Sequence, residues 1–145
     1  MVIYADTSFL FSLYANDANS VQSRTLGRAL RAPITFTEMQ QHELRNALRL
    51  SVFRKEITPD QCRSVLALIE ADVQRGVLSE TQVPWTEAYA IAEMLSKSHT
   101  LKLGCRASDI LHVAIAEALK IRRFYTFDIR QKKLARDVGL NVFPA

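Results

Sequence analysis

The sequence predicts an α/β protein with a parallel sheet, and two observations support this fold class. Short apolar runs of the kind found in buried strands alternate with longer amphipathic segments of helical period. Several of those segments open with helix-capping sequences. Alternation of this kind indicates right-handed βαβ crossovers, whose strands run parallel. The chain has 145 residues, the size of one ordinary domain, so we expect residues 1–145 to form a single domain.

In the first half of the chain, two helices are marked by capping boxes, Thr37-x-x-Gln40 and Thr58-x-x-Gln61. The second of them ends at Gly76, a residue type that commonly terminates helices. Apolar and β-branched runs on either side of these helices read as strands. This half is predicted to contain strands over 2–5, 34–36 and 77–83, and helices over 9–14, 20–30, 38–52 and 59–75.

The second half repeats the alternation of helices and strands. Ala88, Ile91, Ala92 and Leu95 form the apolar face of one helix, and Gly104 separates it from the next. An aromatic run follows and has the composition of a strand. The predicted elements are helices over 85–98, 107–121 and 131–138, and strands over 123–127 and 141–143.

Composition places the chain among globular proteins. Hydrophobic residues make up 48% and charged residues 23%, which excludes a disordered chain. No apolar stretch is long enough for a membrane span and no signal-peptide pattern opens the chain, so we expect a cytoplasmic protein. The two cysteines, Cys62 and Cys105, match neither a disulfide framework nor a zinc motif. The net charge of +4, with 13 arginines among the 19 cations, permits a nucleic-acid partner.

Four acidic residues stand where a parallel sheet would collect them. Asp6 and Asp128 each follow a predicted strand, Asp109 opens a helix, and Glu43 lies one to two turns into another helix. Ligands of such sheets bind beyond the carboxyl ends of the strands. Clustered carboxylates repel one another unless a cation holds them, and Mg²⁺ or Mn²⁺ accepts such oxygen ligands. Each acid taken alone is also explained as a turn residue, a helix cap or a solvated side chain.

The order of the motifs around these acids adds a resemblance. Asp6-Thr7-Ser8, the ELRNAL segment at 43–48, the ASDILHVA segment at 107–114 and the YTFD segment at 125–128 occur in that order. Together they resemble the PIN domain, and most closely its VapC-like toxin ribonucleases. The resemblance covers nearly the whole chain. It implies a three-layer α/β/α fold with a central, mostly parallel sheet.

The resemblance also implies a function and a site. It implies an Mg²⁺- or Mn²⁺-dependent endoribonuclease whose catalytic and metal-binding residues are Asp6, Glu43, Asp109 and Asp128. Ser8 and Thr126 match positions where the family keeps small hydroxyl residues that steady the carboxylates. In VapC-like members a small antitoxin protein blocks the acidic groove, and the family is commonly dimeric. Whether one or two ions bind stays open.

Several cations near the acids have two interpretations. Arg106, three residues before Asp109, would meet a scissile phosphate or pair with an acid of the site, or it is an exposed loop residue. Other cations would follow an RNA backbone or simply form solvated faces. These candidates are Arg45, Arg49, Arg130, Lys132 and Lys133.

Other function classes fit the sequence less well. Phosphatases of the haloacid-dehalogenase type need a second acid two residues after the first, where this chain has Ser8. Receiver domains need a paired acid cluster and a late lysine, neither of which we can place. Two alternatives within the resemblance stay open: an RNA-processing or RNA-decay enzyme without a toxin role, and a catalytically silent binding module.

Overall fold

The computed structural model describes residues 1–145 as five strands and seven helices. Backbone contacts group the chain into two units, the first made of Met1 and Thr7–Thr81 and the second of Val2–Asp6 and Gln82–Ala145. None of the helices is both long enough and apolar enough to span a lipid bilayer. The elements in chain order are β1 (Tyr4–Ala5), α1 (Thr7–Tyr14), α2 (Ser20–Ala29), β2 (Ile34–Thr37), α3 (Glu38–Phe53), α4 (Pro59–Gln74), β3 (Leu78–Thr81), α5 (Trp85–Leu103), α6 (Ala107–Ala118), β4 (Arg123–Tyr125), α7 (Ile129–Asp137) and β5 (Asn141–Phe143).

The first unit has a two-stranded parallel sheet, in which β2 pairs with β3 from Ile34–Leu78 to Thr37–Thr81. Its helices α3 and α4 begin at the two predicted capping boxes, and both reciprocal hydrogen bonds of each box are present. These boxes satisfy backbone N–H groups that the first turn of a helix leaves without partners. Strand and helix residues together form the buried core of this unit, which includes Phe36, Leu44, Leu48, Ile69 and Leu78.

The second unit has a three-stranded parallel sheet in the order β1-β4-β5. The residues of β1 and all of β4 except Arg123 are buried, as is usual for parallel strands, whereas the edge strand β5 is buried only at Val142. Helices α5 and α6 pack against each other, and α7 packs against both α6 and β5. The largest fully buried side chains here include Ile3, Tyr4, Ile115, Phe124 and Leu134.

The structure confirms the predicted α/β class and the parallel strands, and it changes some details. Strand pairing gives each unit a sheet of its own. Strand β4 ends at Tyr125 rather than at residue 127, because Thr126 directs its side chain into hydrogen bonds that turn the chain toward α7. Helix α7 begins at Ile129 rather than at residue 131, since Asp128 caps it. Helix α5 continues to Leu103, where Gly104 ends it with a left-handed φ of 65°.

Candidate active site

The acidic cluster of the second unit is built at the carboxyl ends of β1 and β4. Asp6 directly follows β1, and its backbone N–H donates to the carbonyl of Tyr125 at 3.0 Å, one step beyond the strand pairing. Its side chain is 1% exposed. Thr126, which follows β4, donates its hydroxyl to Asp6 Oδ2 at 2.7 Å. Parallel pairing therefore brings the first residue after each strand into side-chain contact.

Asp128 joins this cluster through the same threonine. The Asp128 backbone N–H donates to Thr126 Oγ1 at 3.0 Å. The Asp128 carboxylate accepts the backbone N–H of Gln131 at 2.9 Å and so caps α7. The capping role that sequence reasoning left open for a single acid is thus present, and it coexists with membership of the cluster. Thr126 fixes both acids because one hydroxyl donates to Asp6 and accepts from Asp128.

Asp109 lies in the first turn of α6 and is 1% exposed. It accepts hydrogen bonds from the backbone N–H of Arg106 at 3.2 Å, from Arg106 Nε at 3.1 Å and from Gln131 Nε2 at 3.1 Å. Burial by itself raises the pKa of Asp109, but the hydrogen bonds from Arg106 and Gln131 outweigh it and the pKa is lowered. Asp109 is therefore ionised at neutral pH, despite its burial.

Arg106 links two of the acids. Besides its bonds to Asp109, its Nη2 atom lies 3.8 Å from Asp128 Oδ2. The hydrogen bond to Asp109 is the main reason why the pKa of Arg106 is raised. The Arg106 side chain remains 66% exposed, so one guanidinium both neutralises the carboxylates and faces solvent. Of the roles considered from the sequence, pairing with acids is the one seen here.

Glu43 belongs to the first unit. It lies on α3, where its Oε1 accepts the hydroxyl proton of Thr7 at 2.7 Å. Sequence reasoning selected Ser8 as the supporting hydroxyl on this segment and did not select Thr7. Ser8 is exposed in the first turn of α1. Thr7 and Ser8 are adjacent hydroxyl residues in the Asp6-Thr7-Ser8 motif, so the sequence alone did not show which of them contacts a carboxylate.

Gln131 was also missed from the sequence. Its side chain is buried at 4% exposure and donates to Asp109, while its backbone is capped by Asp128. The signal that would have found it is the spacing Asp128-x-x-Gln131, which has the form of a helix cap followed by an N3 glutamine. Starting the predicted helix at residue 131 hid this pattern.

The cluster has oxygen donors of the kind that bind hard divalent cations. Asp6, Asp109 and Asp128 supply carboxylates, and Gln131 adds a buried amide oxygen that has no hydrogen-bond partner. In the arrangement seen here, no group of three or more His, Cys, Asp and Glu side chains is positioned to hold a metal ion. Arg106 instead pairs with Asp109 and Asp128. The donor chemistry therefore fits a divalent cation, and in this structure Arg106 supplies the positive charge beside two of the carboxylates.

Two groups of cations lie on helices that contain, or directly follow, an acid of the predicted site. Arg45 and Arg49 are on α3, one turn apart, and Arg49 is exposed. The second group is on the first turns of α7, directly after Asp128, and consists of Arg130, Lys132 and Lys133. The first group therefore shares α3 with Glu43, and the second lies on the helix that Asp128 caps.

His112, one helical turn beyond Asp109, belongs to the core rather than to the cluster. It is 3% exposed, and its Nδ1 lies 2.7 Å from the hydroxyl of Tyr4. The Tyr4 ring stacks on Phe124, which places the pair within the sheet's packing. His112 is therefore a packing and hydrogen-bonding residue of the core.

Comparison with known proteins assigns the family. The PIN domain model matches residues 3–137. Among solved structures, Mycobacterium tuberculosis VapC20, described as a Sarcin-Ricin loop cleaving toxin, is 17% identical, with a TM-score of 0.66 and 95% of each chain covered. FitAcB from Neisseria gonorrhoeae is 15% identical, with a TM-score of 0.62, over 99% of this chain and 96% of that one. VapBC2 from Rickettsia felis, bound to a DNA fragment from their promoter, is 16% identical, with a TM-score of 0.63, over 98% and 97% of the two chains.

No curated protein matches the sequence. At these identities the solved structures show a shared fold, and it is the family model that carries the assignment, since it spans most of the chain. The order of the four acidic motifs and the parallel strands that present Asp6 and Asp128 agree with that assignment. The chain belongs to the PIN domain family.

Proposed function

We propose that this protein is a metal-dependent endoribonuclease that hydrolyses RNA phosphodiester bonds, and that it acts as the toxin of a toxin–antitoxin pair. The observation that carries the proposal is the hydrogen-bonded cluster in which Thr126 joins Asp6 to Asp128 and Gln131 joins Asp128 to Asp109. Membership of the PIN domain family supports this proposal. The family model matches residues 3–137, and this favours a single domain over the whole chain.

The burial of the acids supports a cation at this site. Asp6 and Asp109 are each 1% exposed, and holding ionised carboxylates together away from water costs free energy unless positive charge compensates them. Arg106 provides a single positive charge for the cluster. Mg²⁺ or Mn²⁺ would be held by Asp6, Glu43, Asp109 and Asp128. When bound, the ion would stabilise the charge that develops on the phosphodiester and favour ionisation of the attacking water.

The protein's own residues would prepare the reaction in three ways. Thr126 fixes the carboxylate of Asp6 and the backbone of Asp128, so these acids need little reorganisation when substrate binds. The carboxylates orient the attacking water and accept its proton. Arg106 has an exposed guanidinium beside them, which would contact a phosphate oxygen of the RNA once released from Asp128.

Charges outside the cluster would hold the RNA backbone. We propose this role for Arg45, Arg49, Arg130, Lys132 and Lys133, of which the last three follow Asp128 directly. Contacts of this kind release counterions, so RNA binding should weaken as salt concentration rises. Substituting these cations should reduce that salt dependence as well as the affinity.

The proposed partners are an antitoxin protein and a second copy of the chain. Support for the toxin role comes from VapC20, which is described as a toxin and covers 95% of this chain in the structural match. We propose that the cognate antitoxin is a small protein encoded beside this gene and that the complex is cytoplasmic. Co-expression of the neighbouring reading frame followed by size-exclusion chromatography with light scattering tests both the complex and the homodimer.

One observation favours a second candidate, a PIN module that binds RNA without cutting it. Arg106 pairs with Asp109 and Asp128, which occupies oxygens that the nuclease would offer to a cation. A housekeeping role in RNA processing or decay, by contrast, would use the same chemistry and differs only in partners.

Cleavage of a mixed RNA pool by the purified protein, with Mg²⁺, Mn²⁺ or EDTA, decides between cutting and binding. Asp6→Asn should remove cleavage while leaving the fold intact, because the two side chains have nearly the same shape. The matched control is Asp137→Asn, since Asp137 is an exposed carboxylate at the far end of α7 and should be dispensable. Full activity of Asp6→Asn would exclude the proposed site, and absence of cutting by folded wild-type protein free of inhibitor would favour the binding module.

A further inference from the structure

The amide of Gln131 is the least explained polar group in the acidic cluster. The residue is 4% exposed, and its Oε1 atom is buried without a hydrogen-bond partner. Buried acceptors in folded proteins nearly always have a partner, so such an atom calls for an explanation. We propose that Gln131 is a further residue of the metal site, and that its amide oxygen is a neutral ligand of the divalent cation.

Two hydrogen bonds of Gln131 fix where this amide lies. The Gln131 backbone N–H donates to Asp128 Oδ1 at 2.9 Å, which places the residue in the first turn of α7. Its side-chain Nε2 donates to Asp109 Oδ1 at 3.1 Å, so the amide reaches from the helix capped by Asp128 to the carboxylate of Asp109. Thr126 in turn ties Asp128 to Asp6. The amide is therefore part of the same connected set as all three aspartates.

The orientation of the amide follows from the chemistry of its partner. The Asp109 carboxylate accepts hydrogen bonds from the backbone N–H and the guanidinium of Arg106 as well as from Gln131, so it acts as an acceptor toward all of these partners. The nitrogen of the amide must then face Asp109, which leaves the oxygen as the end that is free for another ligand. Amide oxygens are regular ligands of hard divalent cations. A neutral ligand also adds an oxygen donor without adding to the repulsion among the carboxylates.

This inference depends on the proposed metal-dependent nuclease, and its test separates the two. Binding of Mn²⁺ to RNA-free protein is measured by isothermal titration calorimetry for wild type, Gln131→Met and Gln131→Glu. Gln131→Met keeps the length of the side chain and removes both polar atoms, whereas Gln131→Glu keeps an oxygen donor and loses the amide hydrogens. Gln22→Met is the matched control, since Gln22 is an exposed residue on α2.

We expect Gln131→Met to weaken Mn²⁺ binding by about 10-fold or more, in line with the loss of a supporting residue in other metal sites. Gln131→Glu should keep most of the affinity because it restores an oxygen ligand, and Gln22→Met should bind as wild type does. Circular dichroism and thermal unfolding verify that each variant is folded. Should Gln131→Met fail to fold, Gln131→Ala takes its place, since it leaves room for water instead of an apolar side chain.

Three results would overturn the inference. Unchanged affinity in Gln131→Met would show that the amide has a structural role only, and RNA cleavage by wild type would then stand unaffected. Equal loss in Gln131→Met and Gln131→Glu would show that the residue acts by donating to Asp109 rather than as a ligand. A wild-type protein that binds no Mn²⁺ would overturn both this inference and the metal dependence of the nuclease.

Discussion

Thr126 donates its hydroxyl proton to Asp6 Oδ2 at 2.7 Å across 120 residues of sequence. The contact exists because β1 and β4 pair in parallel, with Ala5 opposite Tyr125, so the residues that follow the two strands meet at one edge. Since Thr126 is fully buried, its hydroxyl has no access to bulk water as an alternative partner. Thr126, which follows a strand distant in sequence, thus helps to fix the position of the Asp6 carboxylate.

Replacing that hydroxyl by a methyl group should damage both the cluster and the fold. In Thr126→Val the shape is kept, but Asp6 loses a donor and the Asp128 N–H loses its acceptor. We expect the free energy of unfolding to fall by about 1–3 kcal/mol. RNA cleavage should fall by about 10-fold or more, because supporting partners of a metal site typically contribute that much. Urea denaturation and a cleavage assay measure the two effects.

Thr126→Ser is the control for this prediction, because it keeps the hydroxyl and removes only a methyl group. It should retain most of the cleavage that Thr126→Val loses. Equal activity in wild type and Thr126→Val would contradict a positioning role for this threonine.

Arg106 should stabilise the protein in a pH-dependent way. The pKa of Asp109 is lowered in the folded state, so this carboxylate contributes stability above its unfolded pKa of about 4, and that contribution disappears as pH falls through the folded pKa. In Arg106→Gln the pKa of Asp109 should rise toward its usual value. We expect a loss of less than about 1 kcal/mol at pH 7, since the guanidinium is largely exposed, and a smaller difference in acid.

Thermal unfolding of wild type and Arg106→Gln between pH 2.5 and pH 7 measures this effect. Arg63→Gln is the matched control, because Arg63 is also an exposed arginine in an i,i+3 pair with an aspartate. A constant difference between Arg106→Gln and wild type at every pH would contradict the assignment of the effect to Asp109.

A partly buried hydrogen bond should contribute to stability at alkaline pH. In the first unit, the Tyr14 hydroxyl donates to Asp72 Oδ2 at 2.5 Å. Burial, followed by this bond, raises the pKa of Tyr14. The unfolded chain loses the tyrosine proton near pH 10 while the folded chain keeps it, so this contribution to stability is present below pH ~10 and is lost as pH rises further.

Tyr14→Phe removes the hydroxyl and should lower the free energy of unfolding by about 1.5–3 kcal/mol at pH 7, the usual range for a hydrogen bond to a charged group. The difference from wild type should shrink above pH ~10. Urea denaturation from pH 7 to pH 11 measures it, with Tyr89→Phe as the control because Tyr89 is exposed. A difference that does not change with pH would contradict this account.

Thr7 should support Glu43 in the way that Thr126 supports Asp6. Its hydroxyl donates to Glu43 Oε1 at 2.7 Å within the first unit. If Glu43 contributes to the site, Thr7→Val should reduce RNA cleavage by about 10-fold, whereas Thr7→Ser should keep it. Cleavage by Thr7→Val at the wild-type rate, in a protein that remains folded, would argue against a role for Glu43.

The sequence was sufficient to predict features that depend on local patterns. The two capping boxes located α3 and α4 at their first residues, because the reciprocal bonds of each box lie within four residues. The fold class followed from the alternation of apolar strands and amphipathic helices. Asp6 was placed at the end of β1 because the apolar run stops there.

Features that depend on distant contacts were missed or misplaced. The turn after Tyr125 depends on the bonds of Thr126 to Asp6 and Asp128, and a local pattern could not show them, so the strand was extended to residue 127. The side-chain partners of Gln131 and Thr7 lie 22 and 36 residues away, so no local pattern showed these contacts, and starting the predicted helix at residue 131 also hid the cap that Asp128 provides. Asp109 depends on Arg106 and Gln131 together, and only the first of these is close to it in sequence.

The most direct test of the account is the chemistry of the RNA ends that the protein produces. Fragments made by wild type with Mg²⁺ or Mn²⁺, and not by Asp6→Asn, should carry a 5′-phosphate and a 3′-hydroxyl. If water attacks phosphorus and the 3′-oxygen leaves and takes up a proton, the phosphate stays on the 5′ end of the downstream fragment. Fragments with 5′-hydroxyl ends, or the same fragments from Asp6→Asn, would contradict the proposal that Asp6, Asp109 and Asp128 form the catalytic site.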